Sequence, residues 1–311
     1  MDDFVIILDI CSDANKELRE KYNLDYIPGH ITLPTGEDVV SYLDWSFISR
    51  DTFYSQLKSK KMTFTTSPPS TQETFNMFKE YLEKGKDIIY ISISNSLSGS
   101  FTFAQLAKKQ LDGIYKDRKI EIVDSLRYSS AITLLGIYGS IYRSEGHSFS
   151  ETVKYLNTIK HRIHQMGPMD DLFYLSRKGR ITNAKAFFGT FIGIKPLGDF
   201  DKDGRTSVIA KAVGIKSAIN ITVNYIKKSI VDSENQILFI SHTNRLDNAN
   251  LLKARIEKEI KCKEIILNEC YPNSAINIGP GLATCFFLGE EVSDNLEKEK
   301  KIMQEVIDIE K

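Results

Sequence analysis

The chain has 311 residues, 41% of them hydrophobic, and its 41 basic and 41 acidic side chains leave a formal net charge of zero. That length suggests two domains, and the apolar fraction suffices for a sizeable core. The neutral balance offers no footprint for nucleic acid or an anionic membrane surface. Four cysteines without a CxxC pair (Cys11, Cys262, Cys270, Cys285) read as free thiols of a reducing compartment.

The N-terminus has no basic region and no small-residue cleavage site, and no apolar run is long enough to span a bilayer. A soluble, cytoplasmic protein without integral membrane association is therefore expected. Phe4–Leu8 predicts a buried strand ending at Asp9. Asp13 reads as the N-cap of a helix over Asn15–Tyr22. Pro28, Gly29, Pro34 and Gly36 punctuate the next segment around a short strand at His30–Leu33, and Ser46–Leu57 predicts a helix. Pro68 and Pro69 make Thr63–Ser70 an extended loop. Ser70 and Glu73 form a capping box for a helix over Thr71–Leu82, which Gly85 ends.

The apolar run Ile88–Ile93 predicts a buried strand. The hydroxyl-rich loop Asn95–Ser100 follows, then a helix over residues 101–111, a strand at Ile120–Val123 ending in Asp124-Ser125, and an apolar helix over Ser129–Tyr142. Ser148 and Glu151 start a further helix expected to end near Gln165. Strands alternating with helices predict βαβ units and a parallel sheet. At Gly167-Pro168 the character changes, which places the domain boundary. Beyond it the strand-like segments Asp171–Leu175, Ile194–Leu197, Thr206–Lys211, Ile237–Ser241 and Glu264–Leu267 are less regularly separated by helices. Helices are expected over Asn183–Ile192, Ile215–Lys228, Leu246–Ile260 and Asp294–Ile309, with a turn at Gly279-Pro280-Gly281.

Walker A, GxGxxG, HExxH and GxSxG motifs are absent, so nothing points to a nucleotide hydrolase, a Rossmann cofactor, a zincin or a hydrolase elbow. No cofactor and no metal are expected. His161 and His164 stand three apart on a predicted helix but lack a third ligand, and read as solvated histidines at a helix end. Asp9 and Asp13 read as a strand end and a helix cap rather than a catalytic pair.

Two hydroxyl-rich stretches remain, Thr65-Thr66-Ser67 and Ser96-Leu97-Ser98-Gly99-Ser100, each before a helix. Ser98 reads first as a helix cap and second as a donor to an anion at a helix N-terminus, outside the carboxyl end of a strand. If both stretches belong to one parallel sheet, they share its edge and form a neutral cradle for a carboxylate. The segment from Ala186 to Ile194 (with Phe187, Phe188, Phe191 and Ile192) is apolar nearly all round. It reads as a buried helix, or as a wall along which an apolar ligand lies, with Gly189 and Gly193 leaving room. An anion cradle beside such a wall describes an amphipathic ligand such as a fatty acid.

The order of motifs resembles the DegV family of bacterial lipid-binding proteins. Those motifs are Asp9 at a strand end, Thr66 to Ser70, Asn95 to Ser100, Asp124-Ser125, Gly179-Arg180-Ile181 leading to Ile194-Lys195-Pro196, and Gly279-Pro280-Gly281. The resemblance covers essentially the whole chain. It implies an α/β fold in two domains: residues 1–165 with a mainly parallel sheet, and residues 166–311 as an α+β lipid-binding domain with a mixed sheet. A long-chain fatty acid would lie in a tunnel between them, its carboxylate on Thr66 and Ser98, with Ser67, Gly99 and Asn277 also binding the ligand and its tail on Phe187, Phe188, Phe191 and Ile192. Some members present the acid to a separate fatty acid kinase that forms the acyl phosphate, with Arg180 at the partner contact. The resemblance implies a role in phospholipid metabolism and no catalysis by the binding protein alone. The alternatives are a lipid-sensing regulatory protein and a stand-alone phosphotransferase. The chain departs from the pattern at Leu8-Asp9-Ile10 (Thr-Asp-Ser in the family), Pro68 (Gln), Asn277 (often His) and Val213 (Arg).

Overall fold

The computed structural model describes residues 3–59, 63–182 and 193–310. Chain contacts divide it into two units, Met1–Lys160 with Tyr271–Ile276, and His161–Cys270 with Asn277–Lys311.

In chain order the first unit contains β1 (Phe4–Leu8), α1 (Lys16–Lys21), β2 (Leu24–Tyr26), β3 (Gly29–Thr32), β4 (Asp38–Ser41), α2 (Arg50–Lys58), β5 (Thr65–Ser67) and α3 (Thr71–Glu83). There follow β6 (Asp87–Ser92), α4 (Ser100–Asp112), β7 (Ile120–Asp124), α5 (Ser130–Ser144) and α6 (Phe149–Ile159). Strands β2-β1-β6-β7 form a parallel sheet in that order. Every residue of β1 and β6 is buried, as expected of parallel strands covered on both faces by helices. Helix α5 packs on β1 at Gly136, where a β-carbon would come within 2.7 Å of Leu8 Cδ2. A second, antiparallel sheet has the order β4-β3-β5.

The second unit contains β8 (Ile163–Met166), α7 (Leu172–Lys178), β9 (Ile181–Thr182), β10 (Ile194–Phe200), β11 (Thr206–Val213), α8 (Ile215–Ser229), β12 (Ile237–His242), α9 (Leu246–Glu259) and β13 (Glu264–Glu269). Helix α10 (Pro272–Ile278) comes next, its first part in the first unit, then β14 (Ala283–Leu288) and α11 (Glu297–Glu310). The sheet β13-β12-β14-β8 is mixed: β12 and β13 are parallel, and the other pairs are antiparallel. A smaller sheet has the order β10-β11-β9. The chain is thus α/β, with an all-parallel sheet first and a mixed sheet second.

Several expectations are corrected. Asp13 does not cap α1. It sits in the left-handed region at φ 61°, and Asn15 is the cap, its side chain accepting from Leu18 N–H. Helix α2 starts after Ser49, whose hydroxyl caps it, rather than at Ser46. Helix α6 ends at Ile159 instead of running to Gln165. Residues 163–166 are all buried and pair with β14, so tertiary pairing overrides the helical pattern. His164 is therefore a buried strand residue and not a solvated helix end. Asp171–Leu175 is not a strand: Asp171 caps α7, and Gly179 at φ 72° closes it. The predicted helix over residues 183–192 lies outside the described residues.

Candidate functional site

The first hydroxyl stretch is a strand, not a loop. Thr66 on β5 stands opposite Ile31 on β3, and Ser67 opposite His30. The stretch therefore belongs to the antiparallel sheet, and the expectation that both hydroxyl loops follow strands of one parallel sheet fails. Ser70 then caps α3 in a full capping box with Glu73. His30 ties these elements together, with Nε2 2.8 Å from Glu73 Oε1 and Nδ1 3.3 Å from Asp38 Oδ2. Burial pushes the Glu73 carboxyl up, but hydrogen bonds from the Ser70 backbone and hydroxyl and from His30 outweigh it and leave the pKa below the ordinary carboxylate value.

The second stretch leaves the carboxyl end of β6. Ser94 N–H donates to Arg127 O (2.8 Å), Ser96 N–H to Ser94 Oγ (3.3 Å) and Asn95 N–H to Asp124 Oδ1 (3.2 Å). Gly99 is the residue before α4 and provides no side-chain cap. Ser98 stands one position earlier than an N-cap. Its Oγ accepts from Ser100 N–H (3.3 Å) and lies 3.2 Å from Ser100 Oγ.

The two stretches meet the same edge of the parallel sheet through their helices. Helix α3 turns at Gly85 into the start of β6, and α4 begins just past the end of β6. Helix α3 thus runs back against β6 and α4 against β7, and the two pack on each other. Their N-termini share the carboxyl edge of the sheet, where ligands of open α/β sheets bind.

A buried polar layer lies around the carboxyl ends of β1 and β6, and of its members the sequence marked only Asp9, as a motif residue. Asp9 is fully buried and accepts from Cys11 N–H (2.9 Å), Tyr90 OH (3.0 Å) and Ile93 N–H (3.3 Å). Burial, then the Asp9 charge, pushes the Tyr90 hydroxyl well above its ordinary range, so it stays protonated. Tyr90 lies inside an apolar run and reads as core, which is why only the structure reveals it. Arg127, 1% exposed, donates from Nη1 to Leu126 O (2.6 Å). Asp13 is also buried. It accepts from Ser129 Oγ (2.6 Å) and from Tyr271 N–H (2.7 Å), fixing the segment Tyr271–Ile276 to this unit. Ser274 Oγ donates to Cys11 O (3.2 Å), and Ser41 hydrogen-bonds Asn273.

In the second unit, Asn277 is half-buried near the end of α10. The loop after it is tightly constrained. Thr243 Oγ1 donates to Gly279 O (2.7 Å) and accepts from Leu282 N–H (2.9 Å). At Gly279 (φ 84°) a β-carbon would lie 2.6 Å from the Tyr174 ring, and at Gly281 (φ 117°) it would lie 2.3 Å from Asp170 Cβ. Asp170 binds Lys195 Nζ at 2.5 Å and Arg245 Nε at 2.6 Å, so it is an ion-pair hub. Arg180 is exposed and donates to Lys178 O. Burial, then the charges of Arg180 and Arg177, pushes the Lys178 ammonium down, which marks a dense basic turn. Phe187, Phe188, Phe191 and Ile192 lie outside the described residues.

Among the described residues no three His, Cys, Asp or Glu side chains gather as a metal site, and no helix is long and apolar enough to cross a membrane.

Comparison with known proteins agrees with this architecture. A DegV domain-containing protein of Clostridium perfringens is 27% identical over 290 residues, covering 93% of this chain and 99% of the relative. The structure of a fatty-acid-binding DegV family protein from Thermus thermophilus superposes with a TM-score of 0.82 at 22% identity, covering 92% of this chain and 99% of that one. The fatty acid kinase B3 protein of Streptococcus pneumoniae, loaded with linoleic acid, superposes with a TM-score of 0.78 at 18% identity, covering 93% and 100%. The family model described as "Uncharacterised protein, DegV family" matches residues 3–290, and with the parallel and mixed sheets and the ordered loops in place, the chain belongs to the DegV family.

Proposed function

We propose that this protein binds a long-chain fatty acid, with the headgroup on the hydroxyls of Thr66 and Ser98 and the tail along the apolar segment of Phe187, Phe188, Phe191 and Ile192. The observation that carries this reading is that α3 and α4, the helices that follow the two hydroxyl stretches, pack on each other. The named ligands of structurally similar DegV proteins support it. Burial of the tail contributes most of the affinity, about 0.8 kcal/mol per methylene, and each headgroup hydrogen bond adds about 1 kcal/mol. The exposed, basic turn around Arg180 suits presentation of the acid to a separate fatty acid kinase, as the name of the Streptococcus pneumoniae neighbour suggests. The protein acts as a carrier and not as a stand-alone phosphotransferase. Among the described residues Ser98 bonds to Ser94 and Ser100, neither of which is a general base.

Native mass spectrometry of the purified protein tests this reading and should reveal a co-purified acid. In a fluorescent displacement assay, Thr66→Ala and Ser98→Ala should each weaken binding by roughly fivefold. A ligand-free mass together with no binding of any acid of 12 to 18 carbons would overturn it.

A further inference from the structure

In the second unit both ring nitrogens of His164, a β8 residue only 3% exposed, face oxygen. Nδ1 lies 2.7 Å from Asp199 Oδ2, and Nε2 lies 2.8 Å from Glu290 O. Asp199 is fully buried and has three further partners. Its Oδ1 accepts from the N–H groups of Gln165 (2.8 Å) and Phe200 (2.7 Å), and its Oδ2 from the Tyr225 hydroxyl (2.9 Å). Glu290 belongs to segment 289–293, which joins β14 to α11 and lies against the start of β8. Gly289 N–H donates to Arg162 O (2.9 Å), Arg162 Nε to Gly289 O (2.9 Å) and Val292 N–H to His161 O (3.0 Å). A β-carbon on Gly289 would lie 2.9 Å from His164 Nε2, so the segment runs flush against the ring.

These contacts fix a proton count. A carbonyl oxygen carries no hydrogen, so Nε2 donates to Glu290. Nδ1 and Oδ2 at 2.7 Å need a second proton between them, because two bare lone pairs repel. The pair therefore holds two protons, and the count is the same whether the shared one is drawn on nitrogen or on oxygen. A solvated imidazole and a solvated carboxylate together hold one proton at most once pH passes about 6.5. Above that pH, closing the contacts takes up one proton from solvent.

We propose that His164 and Asp199 form a proton-dependent clasp that fastens segment 289–293 to β8 at neutral pH and lets it go as pH rises. The clasp is independent of the fatty-acid reading. When one proton is lost, one of the two ring contacts sets lone pair against lone pair. Asp199 is anchored in the core by its other donors, whereas Glu290 is exposed, so the Glu290 contact yields. The clasp contributes its full stability below about pH 6.5 and loses it as pH rises through the titration of the pair.

The charged and titratable groups around the pair are accounted for element by element. On α8, burial holds the Tyr225 hydroxyl well above its ordinary range, so it remains a donor. On α11, the charge of Glu299 reaches Tyr225, and its Oε1 accepts from Ser293 N–H (3.0 Å) at the far end of the segment. His161 and Arg162 precede β8. Lys202, after β10, pairs with Asp294 and feels the charges of Glu291 and Glu299. Strand β14 presents the Phe287 ring, 5.6 Å from the imidazole and inclined by 21°.

Nitrogen-15 NMR and amide hydrogen exchange of the full-length protein test the clasp. Two-bond spectra separate a ring nitrogen that bears hydrogen from one that does not, and the signals lost in His164→Gln identify His164. Its Nε2 should bear hydrogen at about pH 7.5, and the ring signals should change only at higher pH. Protection at Gly289 and Val292, corrected for the intrinsic rate, should fall about tenfold per pH unit above about 6.5, as the uptake of one proton requires. In Asp199→Asn the amide NH2 donates to Nδ1, and the ring needs only its Nε2 hydrogen to hold Glu290. That slope should then vanish. If Asp199→Asn does not fold, His164→Gln, neutral at every pH, takes its place and should be equally flat. A bare Nε2 at about pH 7.5, protection in the wild type that ignores pH, or the same slope in the variant would each overturn the clasp.

Discussion

Replacing Asp13 by Asn should loosen the segment Tyr271–Ile276 while leaving the parallel sheet folded. Asp13 sits at φ 61° and ψ 20°, a conformation Asn adopts as readily as Asp. Its carboxylate accepts from Tyr271 N–H at 2.7 Å and from the Ser129 hydroxyl at 2.6 Å. In the Asn variant the amide oxygen keeps Tyr271, and the Ser129 hydroxyl turns to accept from the new NH2 group. Both bonds survive without charge assistance, so each loses about 1 kcal/mol and the pair about 2 kcal/mol. Asp13→Ala loses both bonds and places an alanine in the left-handed region, at about 4 to 5 kcal/mol in all. Amide hydrogen exchange at Tyr271 is the direct assay. The Asn variant should lose protection there by about 30-fold, with the amides of β1 and β6 unchanged. Equal protection in wild type and Asn variant, or equal losses in the Asn and Ala variants, would refute the reasoning.

Two further outcomes are expected. Gly281→Ala would place a methyl 2.3 Å from Asp170 Cβ at φ 117° and so displace the partner of Lys195 and Arg245. It should destabilise the second unit by at least about 2 kcal/mol, and an unchanged thermal midpoint would contradict this. Glu73 has its folded pKa below the ordinary 4.5, so its contribution is present above the unfolded value and lost as pH falls through the lower folded value. Unfolding midpoints measured downward from pH 5 should fall less steeply in Ser70→Ala, which removes the capping hydroxyl. Parallel curves for the two proteins would exclude that link.

The long, fully apolar strands β1 and β6 and the two capping boxes were legible because each signal is local. Ser70 with Glu73 and Ser148 with Glu151 specify a helix start within four residues. What stayed hidden depends on distant partners. His164 looked helical because Ile163–Met166 becomes a strand only by pairing with β14, more than a hundred residues later. Strand β14 itself was not read, since Ala283–Leu288 follows the Gly-Pro-Gly turn directly and is buried throughout most of its length, without alternation. The site was legible to the extent that hydroxyls announce themselves by composition. Its buried polar layer was legible only at Asp9. Tyr90 is one aromatic in an apolar run, and Asp13 has the residue type of a cap and the environment of a buried anchor.

The return of residues 271–276 to the first unit has a consequence for how the protein is made. The chain passes from one unit to the other three times, after Lys160, Cys270 and Ile276. A nascent chain that has emerged only to Lys160 holds every strand of the parallel sheet, but Asp13 still waits for Tyr271. The face around Ile10 and Gly29 is likewise uncovered until Asn273 arrives. Closing contacts across so much intervening sequence is slow. Neither unit is a cassette that could be excised at a single cut. A fragment ending at Lys160 should be aggregation-prone, and adding residues 271–276 as a separate peptide should rescue it.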